Sequence, residues 1–164
     1  MIEIWDAYDR NFNKIKDVKL VRGEKIPNGL YHLVCDIVVK HVDGTYLLMQ
    51  RDLNKHHGGL WELTSGGSAI IGETPLQCAI RELKEETGID ASDIKEIGRD
   101  INDDRHSLYV VYLCITNCDK NSIILQKGET IDYKWVDIKT ISQMKEDTFV
   151  SFRTLNILNK FNKA

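Results

Sequence analysis

The chain has 164 residues, enough for one domain with a sizeable core and too few for several. Its 42% hydrophobic and 29% charged residues are ordinary for a soluble globular protein, and a net charge of −3 argues against holding nucleic acid by overall charge. No apolar run has the length of a membrane span, and the opening MIEIWDAYDR lacks the basic-then-apolar build of a signal peptide. Four cysteines (Cys35, Cys78, Cys114, Cys118) without a CxxC pair predict buried free thiols, so a cytoplasmic location is expected.

In chain order, residues 2–8 (IEIWDAY) read as a strand, followed by a polar turn over 10–14. Residues 30–40 (LYHLVCDIVVK) are β-rich, 42–45 (VDGT) signal a turn, and 46–51 (YLLMQR) form a second run, which predicts a hairpin. Residues 52–59 (DLNKHHGG) read as a loop, and 60–64 (LWELT) as a short strand leading to Gly66-Gly67. A well-marked helix comes next. Thr74 suits the N-cap, Pro75 the first helical position and Gln77 the far side of a capping box, with Gly88 as terminator. Leu76, Ala79, Ile80 and Leu83 follow the i, i+3, i+4, i+7 pattern and predict a core-facing stripe. Glu82, Glu85 and Glu86 fall within an arc of about 100° on the neighbouring side. Strands over 94–101, 108–116 and 130–137 and helices near 138–144 and 149–161 complete the chain. This order predicts an α/β fold with a mixed sheet between helical layers, residues 1–164 as one domain and 1–29 as a β-rich extension packed on it.

Residues 67–89, GSAIIGETPLQCAIRELKEETGI, hold four acids (Glu73, Glu82, Glu85, Glu86) and Arg81 between two glycines. Carboxylates this dense repel one another unless a cation sits among them, and hard divalent ions such as Mg²⁺ or Mn²⁺ take oxygen ligands. Glu82 and Glu86 stand one turn apart and make the best ligand pair, with Glu85 as third. Gly67, Glu73, Arg81, Glu82, Leu83, Glu85, Glu86, Gly88 and Ile89 fill, in turn, the constrained positions of the signature of the Nudix hydrolases, and the segment resembles that signature without an exception. The resemblance implies an α/β/α sandwich. It also implies divalent-metal-dependent hydrolysis of a diphosphate linkage in a nucleoside diphosphate derivative or related organic diphosphate, by water attack at phosphorus. In that scheme Glu82, Glu85, Glu86 and the Gly67 carbonyl hold the metal. Glu85 is the preferred general base, with Glu129 the candidate from a distant loop. Arg81 ion-pairs with Glu85 or Glu73 and holds the acids in position.

Around this box the resemblance loosens. Arg51 ends the strand that often precedes the box near the substrate phosphates, so Arg51 and Glu129 are the expected substrate contacts. Lys55, His56 and His57 read as a polar exposed loop, Trp61 as packed core and residues 103–106 as an ordinary polar turn. YDRNFNKI (8–15), Arg22-Gly23-Glu24 and Tyr31-His32 resemble the lead-in of the isopentenyl diphosphate isomerases. The places of that group's catalytic cysteine and metal-binding histidine hold Gly66 and Ser68, neither of which can replace them, so isomerase chemistry is the alternative and not the first reading. A non-catalytic binder of a diphosphate ligand is the other alternative, and retention of all four acids argues against it. Ser65 stands where many Nudix hydrolases have proline, which weakens any transfer of substrate preference. The expected partner is a small diphosphate, selected by residues 52–59, 103–107 and 126–130. The resemblance leaves room for a homodimer.

Overall fold

The computed structural model describes residues 1–164. Strands β1 (Ile4–Tyr8) and β2 (Lys14–Val21) form an antiparallel ribbon, then come β3 (His32–His41), β4 (Tyr46–Arg51), β5 (Trp61–Glu62) and β6 (Thr64–Ser68). Helix α1 (Pro75–Thr87) is followed by β7 (Asp93–Asn102), β8 (Ser107–Thr116), β9 (Thr130–Val136), α2 (Ile138–Ser142), a 3₁₀ turn at Glu146–Thr148 and α3 (Arg153–Lys163). No helix is long and apolar enough to cross a membrane.

The second sheet is mixed, in the order β5-β4-β3-β8-β7, with β6 also on β3 and β9 on β4. β3 and β8 run parallel at its centre, paired from His32↔Ser107 to His41↔Thr116. Since β8 takes the whole of one edge of β3, β6 and β4 share the other. β6 pairs antiparallel with residues 34–38, and β4 meets β3 only at Lys40↔Tyr46 before leaving to pair with β9 and β5. The predicted hairpin therefore exists at its turn and then forks.

Strand alternation sends side chains to both faces, and both faces are covered. Leu33, Cys35, Ile37 and Val39 of β3 join Leu108, Val110 and Cys114 of β8 in a core under Cys78, Ala79 and Leu83 of α1. Val38, Val111 and Leu113 point the other way, toward Ile141 of α2 and Leu155 and Leu158 of α3. This is the α/β/α sandwich.

Residues 14–21 form β2, inside the segment expected to be β-rich. Three sequence expectations are corrected. Leu76 and Ile80 are exposed at 42% and 41%; the buried stripe is Cys78, Ala79, Leu83, Glu86 and Thr87. The small side chains of Cys78 and Ala79 let α1 lie close on the glycine-rich β6, which rotates the larger residues outward. Residues 149–152 are not helical: Phe149 is extended and bridges Trp61, and α3 begins at Arg153. Cys118 is only half-buried, while the other three free thiols are buried.

The β1–β2 ribbon is pinned to the domain at several points. Ile71 N–H donates to the Ile4 carbonyl at 2.9 Å, Gly72 N–H donates to Asp6 Oδ2 at 2.8 Å, and Tyr8 exchanges backbone hydrogen bonds with Tyr31. Trp5 stacks on His32 with ring centres 4.3 Å apart.

Candidate active site

The helix that carries the acids is fixed at both ends. Thr74 accepts from Gln77 N–H while the Gln77 side chain accepts from Thr74 N–H, and Gly88 closes the helix at φ 77°, a conformation that favours glycine. On the β6 side, Gly67 lies directly against Glu82: a Cβ built there would stand 2.5 Å from Glu82 Oε1. Glycine lets the strand and that carboxylate lie this near without the carboxylate turning aside.

Arg81 organises the acids. Its Nε and Nη2 grip Glu73 at 2.6 and 2.9 Å, Nη1 reaches Glu82 at 2.7 Å and Glu85 at 3.3 Å, and Nη2 also donates to the Ser68 carbonyl. Burial raises the Glu73 carboxyl, but the Arg81 hydrogen bonds and the Ile70 N–H outweigh it and hold Glu73 below its usual range. Burial raises Glu82 despite Arg81. Glu86 is 8% exposed, accepts one hydrogen bond, from Gly66 N–H at 3.3 Å, and is pushed up to about 8 by burial and by the neighbouring Glu82 and Glu62.

These groups face a cleft of about 300 Å³ lined by Gly67, Arg81, Glu82, Glu85 and Glu86, with Glu129, Lys55 and Gln126 from loops and Glu3 and Arg22 from the N-terminal ribbon. A narrow neck of about 40 Å³ continues from Glu86 past Arg51, Glu62 and Thr130. Beyond it a second cavity of about 300 Å³ opens among Asp36, Tyr109, Asn102, Arg105, Arg153 and Thr154. Asp36, Glu62 and Thr64 line both the neck and the second cavity, which are therefore neighbours. There, Arg153 pairs with the buried Asp36 at 2.8 Å and lies over the Tyr109 ring, 3.6 Å from its centre.

The donor set suits a hard cation. A buried carboxylate with one weak hydrogen bond, crowded by a second acid, is relieved by positive charge, and the candidate ligands are all oxygens. As the side chains stand, no three of the acids converge on one point. Arg81 holds Glu82 and Glu85, and the Gly67 carbonyl accepts a long contact of 3.6 Å from the Cys78 thiol. A cation held by Glu82 would take the place of its Arg81 hydrogen bond.

The structure brings Gly67, Arg81, Glu82, Glu85, Glu86 and Glu129 to one cleft. Glu73 stands behind Arg81 and does not line it. Arg51 lies in the neck, committed to Glu62 at 2.5 Å and the His56 carbonyl at 2.9 Å. Lys55 departs from the expected exposed loop: it pairs with Glu129 across the cleft wall. The rings of His56 and His57 touch at a tilt of 54°, and His57 borders the second cavity. Trp61 is half-buried with Lys134 over its ring. Residues 103–106 form a turn whose Asp103 binds Arg10 and Tyr31. His32 touches Ser107 and Ser68 and serves the packing of the ribbon. Glu3, Asp36 and Glu62 carried no local signal, and Arg22 only its place in the Arg22-Gly23-Glu24 resemblance; strand pairing brings them to the clefts.

The NUDIX domain family model matches residues 30–155. The chain is 28% identical to the Nudix hydrolase lin0387 of Listeria innocua over 99% of its own length and 97% of that protein's. It is 32% identical to an isopentenyl-diphosphate Delta-isomerase of Dinoroseobacter shibae over 67% of this chain and 66% of that one. In fold it resembles DR0079 of Deinococcus radiodurans, with a TM-score of 0.74, 14% identity and coverage of 96% and 98%.

Proposed function

The chain belongs to the Nudix family and is a Nudix-type hydrolase, and on that premise we propose that it cleaves a diphosphate linkage in a nucleoside diphosphate derivative by attack of water at phosphorus. The observation that carries this reading is the floor of the acidic cleft: a buried Glu86 beside Glu82, both against the glycines of β6. Glu82, Glu86 and Glu85, with the Gly67 carbonyl, would hold a divalent cation, Mg²⁺ or Mn²⁺. When bound, such an ion neutralises charge between carboxylate and phosphate oxygens and makes water a better nucleophile.

The chain's own groups do the rest. Arg81, fixed by Glu73, keeps Glu82 and Glu85 in place and offsets their repulsion. Glu85, 44% exposed at the cleft, takes the proton of the attacking water. Glu129, facing the same cleft, is the alternative base. Lys55 is paired with Glu129 in the lining of the same cleft. The neck and second cavity give the group attached to the diphosphate a polar place to lie. Isomerase chemistry gains no support at Gly66 and Ser68, which offer neither a thiol nor an imidazole.

The test is phosphate or nucleotide release from nucleoside triphosphates, nucleotide sugars, dinucleoside polyphosphates, nucleotide coenzymes and isoprenoid diphosphates, with Mg²⁺ or Mn²⁺ and with chelator. Chelator-sensitive cleavage of one class is expected. Glu86→Gln should lower turnover on that class by about 10²-fold or more, since it removes one ligand charge at the metal. Its buried, uncharged amide leaves the fold intact. Wild-type turnover in Glu86→Gln would remove this cleft from consideration as the metal site.

A further inference from the structure

The N-terminal ribbon lies outside residues 30–155, the segment matched by the family model, yet its open end forms one wall of the acidic cleft. The register Ile4↔Val21 makes Glu3 and Arg22 the next facing pair, and Arg22 N–H donates to the Glu3 carbonyl at 3.0 Å. Trp5 stacked on His32, the Asp6–Gly72 hydrogen bond and the Ile4–Ile71 hydrogen bond fix this end in place. Trp5 Nε1 also donates to Glu3 Oε1 at 2.6 Å, so the carboxylate is held as well as the backbone.

Three cations face the cleft, and they differ in how firmly they are engaged. Arg81 is spent on Glu73 and Glu82, and Lys55 on Glu129. Arg22 makes one ion pair, Nη1 to Glu3 Oε2 at 3.0 Å, and its side chain is 66% exposed. An exposed pair of this kind contributes little and is readily exchanged, whereas a guanidinium can take a phosphate through two parallel hydrogen bonds. Arg22 is therefore the cation of the cleft that can turn to an incoming anion at least cost.

We propose that Arg22 binds a phosphate of the diphosphate substrate, and that Glu3 is the partner it leaves when the substrate arrives. The proposal rests on the reading of the cleft as a diphosphate site. It assigns the ribbon a share in substrate binding that the matched domain alone lacks.

The experiment measures binding of methylenediphosphonate, a diphosphate that cannot be hydrolysed, by calorimetry with Mg²⁺, beside KM and kcat for the substrate found in the panel. Arg22→Ala should weaken binding and raise KM by about tenfold, the usual loss for one charge-assisted hydrogen-bonding group, with kcat falling by less. Arg22→Lys should lie between that variant and wild type. Arg10→Ala removes an equal charge from the same ribbon, where Arg10 pairs with Asp103, and should bind the probe as wild type does. An Arg22→Ala protein that binds as wild type does overturns the proposal. So does an Arg10→Ala protein that loses as much as Arg22→Ala, since net charge alone would then explain the effect. Failure of the folded wild type to bind or cleave any diphosphate would instead overturn the reading of the cleft, and this proposal with it.

Discussion

At the scale of single residues, His32 shows what burial does to an ionisable group. Its ring lies between Trp5 and the hydroxyls of Ser68 and Ser107, and burial lowers its pKa from 6.5 to about 4. In the unfolded chain it takes a proton near pH 6.5, so its contribution to stability is complete above that pH and is lost as pH falls toward 4. Between pH 7 and pH 5 this one group should cost about 2 kcal/mol. His32→Gln, which keeps a hydrogen-bonding side chain that cannot be charged, should lack that part of the pH dependence in urea unfolding at the two pH values. Equal slopes in both proteins would show that the ring is charged in the fold. The box residues were legible because their spacing is local: one helix and one tight strand set Gly67, Glu82 and Glu86 together. Lys55 and Arg22 were not, since a cation in a polar loop or at a ribbon's end looks the same whether it faces solvent or a cleft.

At the scale of elements, α1 shows both what local signals decide and where they stop. Thr74, Pro75, Gln77 and Gly88 gave its ends, because caps are chemistry between residues a few positions apart. Thr74→Ala should lower stability by about 1 kcal/mol. Turnover at 25 °C should be retained, since the cap lies outside the cleft. Thermal unfolding beside a rate measurement checks both; an unchanged melting temperature would mean that the first-turn N–H groups find another partner. The orientation of the helix was less legible. Leu76 and Ile80 are better apolar residues than Cys78, yet they face outward, because contact with Gly66 and Gly67 rewards small side chains over large ones. The same limit explains β2, where Lys14, Lys16, Asp17 and Lys19 hide a strand whose partner is β1 and whose buried face is narrow. It also explains residues 149–152, where Phe149 reads as helical by composition and is drawn into extended backbone by Trp61.

At the scale of the whole molecule, the sandwich was legible from the order of elements, since apolar runs such as those of β3 and β8 must be covered on both faces. The fork at β3 was not, because nothing local states that β4 leaves after one pair. The central pair has a kinetic consequence. Each residue of β3 pairs with the one 75 positions further along the chain, and both cores are built across that junction. Closing so long a loop is entropically costly before either core rewards it, so the junction should govern how fast the protein refolds. Val38→Ala or Val111→Ala should slow refolding, whereas Leu158→Ala, on a helix that docks afterwards, should act mainly by hastening unfolding. Stopped-flow kinetics in urea would separate the two arms, and a Leu158→Ala protein that refolds as slowly as Val38→Ala would place the helix, not the parallel pair, in the folding nucleus.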